Sequence, residues 1–124
     1  MHLLFTPPNQ FELVGSGAEL SQLRARVLLA GRREDGTLDV ALDASVDPKP
    51  YASCLQTLTI GVAQGLVNVS LENASTLRIA GSPAALEGFA SYLVVKPGEC
   101  SHFEHYEGHQ IIHEDALPLV ISVE

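Results

Sequence analysis

The chain has 124 residues and a formal charge of −8, from 15 Asp and Glu against seven Lys and Arg. That length suits a single domain, residues 1–124, with one substantial core; a 46% apolar share with no Trp and one Met makes the core mainly aliphatic. No apolar run reaches the roughly 18 residues of a membrane span, and the acidic balance opposes nucleic acid and anionic lipid, whose phosphates demand Lys and Arg.

The opening "MHLLFTPPNQ" has neither the basic start nor the long apolar stretch of a signal peptide, so a cytoplasmic setting is expected. From Phe11, "FELVGSGAELSQLRARVL" reads as a short strand, a tight turn and an amphipathic helix. Ser16 suits the N-cap, with Glu19 at capping-box spacing. Leu20, Leu23, Val27 and Leu28 then share a helical face, and "GRREDG" from Gly31 ends the helix. Gly15 and Gly17 begin a GxG, but position 20 is Leu and no Lys follows nearby. The turn is therefore read as a structural cap, not a phosphate cradle.

Next, "LDVALD" from Leu38 alternates, with Leu38, Val40 and Leu42 on one face and Asp39 and Asp43 on the other. Asp35, Asp39, Asp43 and Asp47 recur every four residues without the DxDxDG pattern of a calcium loop. They make a solvated strand face, and Asp39 and Asp43 are candidate contacts for a basic protein. "SVDPKPYASC" from Ser45 reads as a loop. Cys54 and Cys100 lack any CxxC context and read as reduced structural thiols. "LTIGV" from Leu58 and "VNVSL" from Val67 read as a hairpin around "AQGL".

The segment "LRIAGSPAALEGFASYLV" from Leu77 repeats the Phe11 segment at an offset of 66 residues. Phe11, Leu13, Gly15, Ser16, Leu20 and Leu23 align with Leu77, Ile79, Gly81, Ser82, Leu86 and Phe89. This reads as an internal duplication, 11–62 and 77–124. In the second copy Ser82 caps the helix, Pro83 takes its first position, and "KPG" from Lys96 is read as its stop.

"SHFEHYEGHQIIHED", residues 101–115, holds four of the five histidines. Gly108 and the β-leaning Phe103, Tyr106, Ile111 and Ile112 favour a hairpin turning at Glu107-Gly108 over a helix. A two-residue loop sets His102 opposite His113 and gathers His102, Glu104, His109 and His113 on one face, a candidate metal or acid–base cluster. A bulged turn slips the pairing by one residue and brings His105 opposite His109. No HExxH or cysteine ligand spacing accompanies either register. "LPLVISV" from Leu117 closes the chain as a strand. The expected fold is α+β: a mostly antiparallel sheet with both helices packed on one face, leaving the other face polar and open.

The stretch "LRIAGSPAALEGFASYL", the strand "HFEHY" and the closing "LPLVISV" resemble a bacterial family, immunity protein family thirty-two of polymorphic toxin systems. The resemblance covers about residues 67–124. It implies a small non-enzymatic protein, without cofactor, that binds and blocks a cognate toxin, often a nuclease. An acidic chain suits the basic surface such a toxin presents. The expected contacts are Asp39, Asp43, Glu104, His105 and Tyr106. One alternative is a metal-binding protein or small metal-dependent hydrolase centred on His102, Glu104, His109 and His113. Another is a structural homodimer joined through exposed strand edges.

Overall fold

A computed structural model describes residues 1–33, 36–106 and 111–124. Two helices and nine strands form an α+β fold. In chain order these are β1 (His2–Thr6), β2 (Gln10–Gly15), α1 (Gly17–Gly31), β3 (Thr37–Ala41), β4 (Ser53–Cys54), β5 (Thr57–Val62), β6 (Asn68–Asn73), β7 (Thr76–Gly81), α2 (Pro83–Ser91), β8 (Cys100–Phe103) and β9 (Leu119–Val123).

The strands divide into two sheets instead of the single one expected. One has the order β4-β1-β2-β9-β8, the other β3-β5-β7-β6. Most neighbours are antiparallel, but β2 pairs with β9 and β5 pairs with β7 in parallel. β1, β2 and α1 start at His2, Gln10 and Gly17; β6, β7 and α2 start at Asn68, Thr76 and Pro83, each 66 positions on.

Two expected hairpins are corrected. β5 and β6 flank "AQGL" but do not pair. β6 turns back onto β7 at Ala74–Ser75, and β5 lies on the far side of β7. The histidine segment is also not a simple hairpin: β8 pairs with β9, while Ile112 bridges Val67 in parallel. The turn expected at Glu107-Gly108 lies outside the described residues. The N-terminal residues, read only as the absence of a leader, form β1 against β2.

The helix starts follow from their caps. The Ser16 side chain accepts the Glu19 N–H at 3.1 Å, while Glu19 accepts the Ser16 N–H at 2.9 Å. Glu19 also accepts a 2.6 Å hydrogen bond from the Met1 ammonium, tying β1 to the first turn of α1. In α2, Ser82 accepts the Ala85 N–H at 3.1 Å and Pro83 sits in the first turn. α2 ends at Ser91, with Tyr92 as its C-cap, before "KPG" is reached.

One continuous core joins both helices to both sheets. Leu3, Phe11 and Leu13 from the five-stranded sheet meet Leu58, Ile60 and Ile79 from the four-stranded one. Leu20, Leu23 and Val27 of α1 and Leu86 and Phe89 of α2 fill the space with them, whereas Leu28 is only half-buried. Phe5 stacks on Phe11 with centroids 4.7 Å apart, and Phe103 meets the edges of Phe89 and Tyr92 at 4.9 Å. Gly36 permits a close approach where β3 begins, because a Cβ there would fall on the Ala30 carbonyl oxygen.

Two outcomes follow. Ser16→Ala should cost about 1 kcal/mol in a urea melt. Hydrogen bonds from the Met1 ammonium and the Ser16 N–H hold the Glu19 carboxyl below its ordinary value of 4.5. Its contribution is therefore complete above pH 4.5 and disappears as pH falls through the lower folded value. Wild type should melt above Glu19→Gln at neutral pH, with the gap closing on acidification below that value.

Candidate binding face

The five-stranded sheet has one face in the core and one outside it. Its register sets Cys54, Leu4, Glu12, Val120 and His102 in one outer row, and His2, Val14, Ser122 and Cys100 in the next. Successive residues alternate between faces, so Leu3, Leu13 and Ile121 point inward from the same strands. Leu4 and Val14, both 9% exposed, stand apart from the central core. They back the outer face with covered apolar side chains, and Val120 beside Glu12 is the half-buried apolar residue of these rows. No Lys or Arg occurs on any of these five strands.

The loop between β3 and β4 borders this face on the β1 side. The Asp43 N–H donates to the Met1 carbonyl at 3.0 Å, and the Ala52 N–H donates to Phe5 O at 3.1 Å. Tyr51 reaches to β2, its hydroxyl donating to Glu12 Oε1 at 2.9 Å. Burial, and then Glu12, push the Tyr51 phenol above its usual range. Shallow hollows lie on either side of the ring, about 340 Å³ beside Phe11, Pro118 and Val120 and about 280 Å³ beside Thr6 and Pro50.

Asp43 accepts both the hydroxyl and the N–H of Ser45, at 2.6 and 2.9 Å. These two bonds hold its carboxyl below the ordinary range, with smaller help from the Met1 ammonium and His2. Cys54 sits under this loop and donates to the Val46 carbonyl at 3.5 Å. Burial, then Asp43 and Asp47, push its thiol up, so it stays protonated and is a poor nucleophile.

At the opposite edge β8 places Cys100 and His102 on the outer face, with Sγ 3.6 Å from His102 Nε2. Glu104 follows and is exposed. His105 Nδ1 lies 3.2 Å from the Ile112 carbonyl, and Tyr106 is 62% exposed. The row from Cys54 to His102 spans four inter-strand steps, about 19 Å. Asp43, bonded to Met1 at the start of β1, and Glu104, just past β8, therefore lie near opposite edges of this sheet.

Asp39 does not join them. It points to the outer face of the four-stranded sheet, where it accepts the Thr59 hydroxyl at 3.0 Å. His102 and His113 are not cross-strand partners: His102 stands opposite Val120, whereas the His113 N–H donates to Val67 O at 2.8 Å. His113 Nδ1 is occupied by the Asp115 N–H at 3.0 Å. His109 lies outside the described residues, and among those described no three His, Cys, Asp or Glu gather as metal ligands. Among the described residues, no helix is long and apolar enough to cross a membrane.

Sequence reasoning missed Leu4, Glu12, Val14 and Tyr51, which form the middle of the face. The alternation of His2, Leu4 and Thr6 against Leu3 and Phe5 was the available signal for β1. No protein-family model, curated protein or solved structure matches the chain. Tyr51→Phe removes the bond to Glu12 and should lower stability by about 1 kcal/mol in urea. An unchanged melt would show that the Tyr51 ring alone holds the loop down.

Proposed function

We propose that the chain is a non-enzymatic binding protein of the immunity type, which neutralises a cognate bacterial toxin by covering its basic surface. The observation that carries the reading is the outer face of the five-stranded sheet. It has the half-buried Val120 between Glu12 and His102, acidic residues near both margins, and no Lys or Arg on its strands. Such a face supplies desolvated contact at the centre and attraction at the rim, the usual anatomy of a protein interface. The sequence adds that no Lys or Arg follows Lys96, while six carboxylates do. A basic nuclease-type toxin in the cytoplasm fits this chemistry. The common offset of the two hairpin–helix starts supports duplication as the origin of the two halves.

The test pairs a growth assay with kinetics. The partner captured with this chain should arrest growth when expressed alone, and co-expression of the chain should restore it. Asp43→Lys with Glu104→Lys should slow association about tenfold at low salt and flatten its salt dependence. Asp39→Lys, on the other sheet, should have the smaller effect. Failure to restore growth rejects the immunity reading. Restored growth with unchanged association in the double variant moves the contact elsewhere.

A further inference from the structure

Among the described residues, nothing pairs with the flank of β3 that faces away from β5. Gly36 O accepts from Val62 and the Leu42 N–H donates to Gln56, both at 2.9 Å and both toward β5. By the alternation of an antiparallel ladder, the N–H and C=O groups of Thr37, Asp39 and Ala41 point the other way. Asp43, next in that series, donates to Met1 O. No described residue hydrogen-bonds the outward groups of the three before it. Nor does this edge carry the Lys, Pro or bulge by which exposed strands commonly avoid pairing.

α1 runs beside the free edge, and two hollows open along the seam. One, of about 350 Å³, lies among Gln22, Leu23, Arg26, Val40 and Ala41. The other, of about 140 Å³, lies among Arg26, Leu29 and Leu38, and Leu29 is 55% exposed. Arg26 borders both hollows and Arg33 the smaller; Glu19 and Asp43 border the larger.

The other half of the chain covers the matching face of α2 with its own residues. At the same offset of 66, Met1, Gln22 and Leu23 correspond to Val67, Gly88 and Phe89. There Ile111 lies on Gly88 so closely that a Cβ would stand 2.7 Å from its Cδ1. Ile111 O accepts the Val67 N–H at 2.7 Å. In the first half the Asp43 N–H donates to Met1 O as the His113 N–H donates to Val67 O, the Met1 amine turns to Glu19, and Gln22 borders the larger hollow.

We propose that the seam between α1 and the free edge of β3 receives an extended segment of a partner protein, added as a further strand beside β3. Strand addition supplies backbone bonds for affinity and alternate side-chain sites for specificity. One set of side chains faces α1, where Leu23 and Val40 at one hollow and Leu29 and Leu38 at the other favour aliphatic residues. The other set lies beside Asp39, which favours Lys or Arg. Five residues of β3 offer a ledge of about 17 Å. The inference rests on the chain being a protein-binding module, not on where a toxin docks across the other sheet.

The probe is a blocked hexapeptide alternating Ile and Lys, titrated into the isotope-labelled full chain. Binding with a Kd of about 100 μM should shift the amides of Thr37, Asp39 and Ala41 and slow their hydrogen exchange. N-methylation of the peptide backbone should weaken it about tenfold, as should Gln22→Trp, which fills the larger hollow from an exposed position. Ala41→Pro deletes an outward donor and should do the same; Gln22→Trp carries the test if that variant melts early. No shift at β3 by about 1 mM peptide overturns the proposal. So do shifts confined to β1, β2, β8 and β9, or binding indifferent to N-methylation. None of these three results touches the growth assay, and a failed growth assay with intact β3 binding removes the immunity reading alone.

Discussion

Each sheet depends on one parallel pairing. β9 lies parallel to β2, and β5 lies parallel to β7, so each of these pairings joins a strand of one hairpin–helix segment to a strand from outside it. A parallel pair cannot be made by a short turn; it needs a crossover. Here β6 lies between β5 and β7, and every element from α1 to β8 lies between β2 and β9. Neither hairpin–helix segment buries its apolar stripe alone. Leu20, Leu23, Leu86 and Phe89 become solvent-free only when both sheets are assembled around them. Cooperativity of the whole domain follows from that interlocking, because losing β9 opens the first sheet at the strand that bridges β2 to β8.

The same interlocking decides what stays exposed. Two outer edges are occupied: β1 takes β4, and the Val67–Val69 backbone takes hydrogen bonds with Ile111, His113 and Leu117. β3 and β8, the strands that follow the two helices, are left as outer members of their sheets. Both lie in acidic sequence, with Asp39 and Asp43 at one and Glu104 at the other. Basic residues concentrate elsewhere: Arg24, Arg26, Arg32 and Arg33 lie on α1 or just beyond its end. The molecule thus separates its charge between sheet margins and helix, and a net charge of −8 understates how acidic the sheet margins are.

The local parts of this fold were legible in the residues. Ser16 with Glu19, and Ser82 with Pro83, announce helix starts because orphan amides at a helix end need acceptors within three residues. Alternation at Leu38–Val40 and Leu119–Ile121 likewise announces strands. Pairing was not legible, for a physical reason. "LTIGV" and "VNVSL" flank a short polar link and alternate well enough to be partners, yet "TLRIA" offers β6 a nearer partner and itself satisfies β5 on its other edge. Nothing within the ten or so residues around a turn reports that competition. The histidine segment failed for the same reason: its apolar positions Phe103 and Ile112 are claimed by Leu119 and Val67, not by each other. Of the candidate contacts, Asp43 and Glu104 lie near opposite edges of a sheet that no sequence period could reveal, since five strands from both ends of the chain compose it.

Asp43 shows how a charge can attract a partner without a heavy desolvation cost. Its carboxylate is fully exposed and already holds two bonds from Ser45, so it is ionised and fixed in direction before any partner arrives. A rim charge of this kind acts mainly on encounter, and its contribution falls with salt. The half-buried Val120 acts later, when water leaves the interface, and it is indifferent to salt. Glu12 lies between the two regimes, because the Tyr51 hydroxyl already occupies one of its oxygens at 2.9 Å. A partner that displaced Tyr51 would have to offer Glu12 a donor in exchange, since covering this half-buried carboxylate without one would cost its desolvation. The chemistry this favours at the centre of the face is an Arg or Lys set among apolar groups, which is how basic surfaces with a hydrophobic patch are built.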